Sequence, residues 1–260
     1  MLSLNEIKPY YPAYLRTHER FILREYLQYK ILDIIFDSPF ANKLSFIGGT
    51  CLRIVHNSSR FSEDLDFDNF DLTVNDFNQI TQIVKTELEN LGYQIQIRNV
   101  HKGAYHCYIK FPDNLYNEEL SNHKEEKILI QLDTEPHNYD YHPEKPLLNK
   151  FDVFTQINAT PRNILLAQKF YAVFNRKRNK GRDFFDIVFL LGQNALPDYR
   201  YLEYKTGIKN SSQLRTQIIQ KCDEINMSEM AQDVSPFLFH AKDTKMVTLF
   251  SEYMKTANLG

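Results

Sequence analysis

Asp64 and Asp66 are the residues whose types and spacing first suggest chemistry. They lie in Asp64-Leu65-Asp66-Phe67-Asp68, where polar and apolar residues alternate. Alternation at period two is a strand signature, with Leu65 and Phe67 turned to the core and the two aspartates sharing the opposite face. Side-by-side carboxylates repel unless a cation sits between them. Hard oxygen ligands of this kind suit Mg²⁺, which commonly takes one or two carboxylates plus substrate phosphates. A solvated acidic face is the plainer alternative. An EF-hand calcium loop is excluded, because its sixth and twelfth positions from Asp64 would be Asn69 and Asn75 rather than Gly and Glu. Asp68 shares the face one pleat further on, roughly 7 Å away, and is expected at most to support the pair.

The turn Gly48-Gly49-Thr50 precedes this segment. Glycines let a backbone approach a ligand closely, and free amides at a helix start attract phosphate. The Thr50 hydroxyl is expected to donate to a terminal phosphate, and Arg53 in the same segment is read as a further nucleotide contact. A tight strand-to-helix turn without a ligand is the alternative. The Walker pattern is absent, so this is not a P-loop NTPase. The strand pattern Lys127–Asp133 finishes on a third carboxylate, and Asp133 is a candidate metal ligand and acceptor for a hydroxyl proton. An ordinary strand-end aspartate would read the same way.

A cationic half follows much later. From Arg162 to Arg182 there are seven basic residues and no acid, including Lys169 and the run Arg176-Lys177-Arg178-Asn179-Lys180-Gly181-Arg182. A triphosphate needs cationic neutralisation beyond its metal ions. Lys169 is flanked by apolar residues in a helical pattern, so it either reaches a site from the helix edge or snorkels to solvent. Asp183 and Asp186, three apart, share a helix side. One could orient Lys169 or an arginine and the other could cap the helix. The histidines have no metal-site spacing, and His137 and His142 are read as incidental.

The elements that must position these residues follow from periodicity. Arg16–Phe36 reads as an amphipathic helix, Leu44–Ile47 as a short buried strand, and Val74–Leu91 as a helix closed by Gly92. Tyr93–Arg98 and Ala104–Phe111 read as strands, 112–126 as a loop, and 134–146 as a long loop. From Thr160, with Pro161 as a helix start, helical patterns take over: Arg162–Phe174, Arg182–Leu191, Gln213–Ile225 and Thr244–Lys255. The expected fold is α+β. A mixed sheet flanked by helices occupies 1–158, and an all-helical domain occupies 159–260.

The Gly-Gly turn and the Asp-x-Asp strand, with 13 residues between Thr50 and Asp64, resemble the signature of the polymerase-beta-like nucleotidyltransferase superfamily. With FIGGTCLR, RFSEDLDFD, KILIQLD, AQKFYAVFNR and KGRDFFDIVFLL in view, the chain resembles the AbiEii/AbiGii-type nucleotidyltransferase toxins of type IV toxin–antitoxin and phage-abortive systems. The resemblance covers most of residues 45–192. It implies a nucleotidyltransferase core followed by a helical domain, with Asp64 and Asp66 as metal ligands. It further implies Lys169 as a nucleotide-phosphate contact, Asp183 as a further essential acid, and a separately encoded antitoxin. The expected reaction is Mg²⁺-dependent transfer of a nucleotide from a nucleoside triphosphate to an RNA acceptor, with the tRNA 3′ end foremost. Nucleotide binding without transfer, a small-molecule acceptor of the aminoglycoside type, and a protein acceptor are the rivals.

Composition is ordinary for a folded soluble protein. The chain has 260 residues, 43% of them hydrophobic, and 35 Tyr and Phe against only 8 Gly, which excludes a disordered chain. A net charge of −2 gives no global pull towards nucleic acid, so any basic surface must be local. Cys51, Cys107 and Cys222 form no CxxC pair and are read as reduced thiols of a cytoplasmic protein. The expectation is neither a leader nor a membrane span, because no basic-then-apolar start and no long apolar run is present.

Overall fold

The computed structural model of the chain describes residues 1–136 and 138–260. It divides into two compact units: 1–56 with 62–159, and 57–61 with 160–260.

The first unit contains α1 (Leu4–Ile7), α2 (Glu19–Phe36), β1 (Leu44–Ile47), α3 (Gly48–Ile54), β2 (Leu65–Asn69), α4 (Val74–Asn90), β3 (Gln96–Lys102), β4 (Ala104–Phe111), α5 (Asn114–Asn117), β5 (Ile128–Pro136), β6 (Leu147–Lys150) and β7 (Val153–Gln156). Among the described residues, five strands form a mixed sheet in the order β1-β2-β5-β4-β3, and β6 and β7 form a separate hairpin. β2 and β5 run parallel, and the other neighbours run antiparallel.

The strands bury one face. In β4, Cys107, Ile109 and Phe111 are buried, while His106, Tyr108 and Lys110 are not. β5 alternates in step, with Ile128, Ile130 and Leu132 buried and Leu129, Gln131 and Asp133 on the accessible side. Helices α2 and α4 cover the apolar face through Ile31, Leu32 and Ile35, and through Phe77, Ile80 and Val84, all buried. Burial at roughly 25 cal/mol per Å² of apolar surface is what holds the helices to the sheet. A capping box starts α4: the Thr73 hydroxyl accepts from Asp76 N–H at 3.1 Å, and the Asp76 carboxylate accepts from Thr73 N–H at 3.0 Å.

Several local expectations are corrected. β3 begins at Gln96 rather than Tyr93, because Tyr93 N–H closes the end of α4 on Leu88 O at 3.0 Å. β5 does not end on Asp133 but runs to Pro136, carried onward by its parallel pairing with β2. The stretch expected as a loop from residue 134 therefore begins as strand, and the hairpin of β6 and β7 follows it. Phe151 at the hairpin tip takes φ +60°. It is packed by Tyr10, Tyr26 and Tyr29, with ring centroids 4.9, 5.3 and 5.2 Å away.

The second unit is helical: α6 (Arg162–Asn175), α7 (Gly181–Gly192), α8 (Tyr199–Thr206), α9 (Ser211–Asp223), α10 (Met227–Val234), α11 (Lys245–Thr248) and α12 (Phe250–Thr256). Pro161 is the cap residue of α6 rather than its first residue. The helix expected over Thr244–Lys255 is broken at Leu249, which takes φ −99° and ψ 12°. Residues 57–61 belong to this unit because Phe61 N–H bonds Phe237 O at 2.8 Å and Phe239 N–H bonds Ser59 O at 3.1 Å. Gly181 starts α7 where a Cβ would collide with the backbone carbonyl of Met230 in α10.

Candidate active site

The site is built on one row across the sheet. Ile47, Asp66, Asp133 and His106 are register partners on β1, β2, β5 and β4. Register partners point to the same face, so Asp66, Asp133 and His106 stand side by side on the accessible side. Neighbouring strands are about 4.8 Å apart, which brings the two carboxylates within reach of one cation. Asp133 is held from two sides. His106 Nδ1 lies 2.7 Å from its Oδ1, and Gln131 Nε2 donates to both carboxylate oxygens at 2.9 Å. A carboxylate has about four lone-pair positions, and three such contacts fix its orientation.

Gly48 explains the approach of the turn. β1 delivers the chain to Gly48, which takes φ +77° and starts α3 directly. A Cβ there would overlap Asp66 Oδ2 and lie 3.0 Å from Asp66 Cγ. The turn backbone therefore rests against the carboxylate, and only glycine permits it. Gly49 and Thr50 are buried in the first turn of α3. The Thr50 hydroxyl donates to the Asp64 carbonyl, tying the turn to the entry of β2.

Asp64 precedes β2, which starts at Leu65. Its neighbourhood is fastened by α2: Gln28 Nε2 donates to Ser62 O at 3.1 Å and Glu63 O at 2.9 Å, and Arg24 pairs with Glu63 at 2.8 Å. Asp68 is buried and accepts from the Tyr141 hydroxyl at 2.7 Å. Arg53 is engaged by Glu25, with Nε 2.7 Å from Oε2, and Lys150 reaches the same carboxylate at 2.7 Å. Burial would raise the Glu25 carboxyl, but Arg53 and Lys150 outweigh it and hold it below the usual range. Burial also pushes the Lys150 ammonium below its ordinary value.

The other candidates meet in the helical unit. Lys169 Nζ lies 3.0 Å from Asp183 Oδ1 and 2.8 Å from Asp186 Oδ2. Arg60 forms a two-pronged pair with Asp186, its Nε and one terminal nitrogen each 2.7 Å from a different carboxylate oxygen. Arg176 Nε is 3.3 Å from Asp183 Oδ2. Arg60 and Asp186 are 1% and 0% exposed, so this is a closed ion cluster rather than a solvated one. Burial opposes the charge on Lys169, yet Asp186 and Asp183 raise its ammonium above the ordinary value. Burial likewise opposes the Asp186 charge, and Arg60 with Lys169 holds its carboxyl low. Asp186 therefore anchors both cations and does not cap α7. Lys169 is only 12% exposed and is held by both carboxylates rather than snorkelling to solvent.

Sequence reasoning missed His106, Gln131 and Arg60. A signal existed for the first two, because the alternation of β4 and β5 puts them on the polar face. Arg60 carried none, since its partner lies 126 residues away. His142 is exposed, and His137 lies outside the described residues.

Among the described residues, no group of three or more His, Cys, Asp and Glu side chains is arranged to hold a metal ion by itself. The donor set nevertheless fits a divalent cation shared with substrate phosphates. Asp66 and Asp133 offer hard oxygens side by side, and Mg²⁺ commonly needs only one or two protein carboxylates when phosphates complete its shell. Also among the described residues, no helix is long and apolar enough to cross a membrane.

A family model described as nucleotidyl transferase AbiEii toxin, type IV TA system, matches residues 30–247. The fold is similar to that of JHP933 from Helicobacter pylori, at a TM-score of 0.55 and 17% identity over 91% of this chain and 92% of that one. It is also similar to a candidate nucleotidyltransferase from Helicobacter pylori, at a TM-score of 0.54 and 17% identity over 90% of this chain and 93% of that one. At that identity the likeness concerns the fold. No relative among the curated proteins matches.

Proposed function

The chain belongs to the AbiEii nucleotidyl transferase toxin family of type IV toxin–antitoxin systems, and on that premise we propose that it transfers a nucleotide from a nucleoside triphosphate to the 3′ end of an RNA, with tRNA as the acceptor and Mg²⁺ as the ion. It is a nucleotidyltransferase, and its family implies a nucleotide substrate and an antitoxin partner. The RNA, the ion and the residue roles are the proposal.

The observation that carries it is the register of Asp66 with Asp133, backed by the Gly48 turn resting on Asp66. Asp66 and Asp133, with Asp64 beside them, would hold Mg²⁺ together with phosphate oxygens of the substrate. When bound, the ion supplies charge for the phosphates and polarises the phosphorus under attack. Gly48 and Gly49 bring backbone close to a phosphate. Asp133, oriented by His106 and Gln131, accepts the proton of the attacking hydroxyl. Lys169 is the proposed phosphate contact of the helical unit, with one ammonium N–H beyond the two committed to Asp183 and Asp186. The exposed Arg176, Lys177 and Arg178 help to dock the acceptor backbone. The cytoplasm, where triphosphates and RNA coexist, is the proposed compartment.

The test is incubation with each labelled nucleoside triphosphate, Mg²⁺ and total RNA. Label should enter RNA with the wild type and not with Asp66→Ala. No transfer by the wild type, or equal transfer by the variant, overturns the reading. Arms with an aminoglycoside and with the co-expressed antitoxin distinguish a small-molecule or protein acceptor.

A further inference from the structure

The accessible face of the sheet continues beyond the carboxylate row, and apart from Gln131, which orients Asp133, its residues have no part in the site described so far. The next row along is Gln131, Tyr108 and Arg98, register partners on β5, β4 and β3. The row after that is Leu129, Lys110 and Gln96. All six share the face of Asp133 and His106, since they are even-numbered steps along the same strands. Arg98, Lys110, Gln96 and Leu129 are exposed, and Tyr108 is half-exposed.

Three features distinguish this strip from an ordinary solvated sheet face. First, its cations are uncommitted: neither Arg98 nor Lys110 has an ion pair among the described residues. Second, between the carboxylate row and the far edge the two rows contain no acid. The nearby acids on this face, Asp133 and Glu135, lie at or beyond the carboxylate row. Third, Tyr108 stands at its centre with no hydroxyl or ring partner among the described residues, leaving a ring face available. Its row is one pleat step, about 7 Å, from His106 and Asp133.

We propose that this strip, centred on Tyr108 with Arg98 and Lys110, is the platform on which the single-stranded 3′ end of the RNA acceptor lies as it enters the carboxylate row. A strand arriving there presents a base to the Tyr108 ring and its phosphates to the two cations. Stacking on a sheet aromatic flanked by basic residues is how single strands are held without a groove. A duplex cannot use it, because its bases are not exposed for stacking. The inference rests on the RNA-acceptor reading above and makes that reading specific to an unpaired end.

Binding is measured by fluorescence anisotropy of the full chain with a short fluorescein-labelled single-stranded RNA, against the same sequence as a blunt duplex. Transfer kinetics are measured in parallel. Tyr108→Ala should weaken single-strand binding by roughly five- to a hundredfold, and Tyr108→Phe should restore it. The double variant Arg98→Ala/Lys110→Ala should lower the salt dependence, reducing the log–log slope by about 1.4 for two lost phosphate contacts. Both should raise the KM for RNA while leaving the KM for the nucleotide unchanged, which a general loss of folding would not do. Wild-type RNA transfer with RNA KM unmoved in Tyr108→Ala and in the double variant overturns the platform and leaves the proposed function standing. Tyr108-dependent RNA binding without any RNA transfer supports the platform and overturns the acceptor reading. Equal affinity for duplex and single strand, or no RNA binding at all, overturns the platform.

Discussion

Gly48 and Asp66 are in backbone-to-carboxylate contact: a Cβ on Gly48 would lie 3.0 Å from the Asp66 Cγ and overlap one carboxylate oxygen. The same glycine holds φ +77°. Gly48→Ala therefore suffers twice, from the backbone conformation and from the displaced carboxylate. It should lose about 1–3 kcal/mol of stability. Transfer should fall by more than that loss explains, because Asp66 itself is moved. Thermal unfolding and labelled-nucleotide transfer at a temperature where the variant is folded separate the two.

His106 acts on Asp133 through Nδ1 at 2.7 Å. Removing a partner that orients a ligating carboxylate typically costs 10–100-fold in metal affinity or activity. His106→Ala should weaken Mn²⁺ binding to the chain, followed by electron paramagnetic resonance titration without substrate, by about that factor. His106→Asn, whose amide can take the place of Nδ1, should recover more than His106→Gln. Equal Mn²⁺ affinity in all three would separate His106 from the metal site.

Arg60 and Asp186 are both sealed from water, so cutting either leaves a buried charge. Arg60→Ala should destabilise by about 3–5 kcal/mol in denaturant titration. Arg60→Lys should recover only part of this, because an ammonium cannot reproduce the two-pronged pair. The double change Arg60→Met/Asp186→Leu should cost less than the sum of the single ones.

The pH dependence follows from the same cluster. Asp186 has its folded value held below the unfolded one, so its stabilisation is full above the ordinary carboxylate value of about 3.9 and is lost as pH falls through the lower folded value. Lys169 is shifted upward, so its contribution is full below about 10.4 and is lost only as pH rises through the higher folded value. Denaturant midpoints should change little from this cluster at neutral pH and fall at both extremes. Asp186→Asn should flatten the acid limb, and Lys169→Met the alkaline one.

Glu25 holds Arg53 and Lys150 together inside the first unit. Glu25→Gln leaves two cations facing each other and should destabilise by about 3–5 kcal/mol. The loss should shrink as pH rises, because Lys150, already pushed down by burial, can then shed its proton. A denaturant series from pH 7 to alkaline values checks the sign.

Local pattern sufficed for much of this protein. Strict alternation marked Ala104–Phe111, the apolar run marked Leu44–Ile47, and the Gly-Gly turn marked where the chain leaves β1 for α3 against Asp66. These are properties of consecutive residues, and period two or 3.6 needs no partner to be seen. What neighbours what across the sheet was decided by tertiary structure alone. β2 and β5 are far apart in sequence, yet their parallel register makes Asp66 and Asp133 neighbours and carries β5 past Asp133 to Pro136. His106 enters the row only through the antiparallel pairing of β4 with β5. Arg60, two residues before the segment that leads into Asp64, has its partner in α7. The physical reason is common to all of these. Chemistry-bearing residue types and their local face are written in the chain, whereas register and ion partners are chosen by burying complementary surfaces from distant segments, which no local pattern encodes.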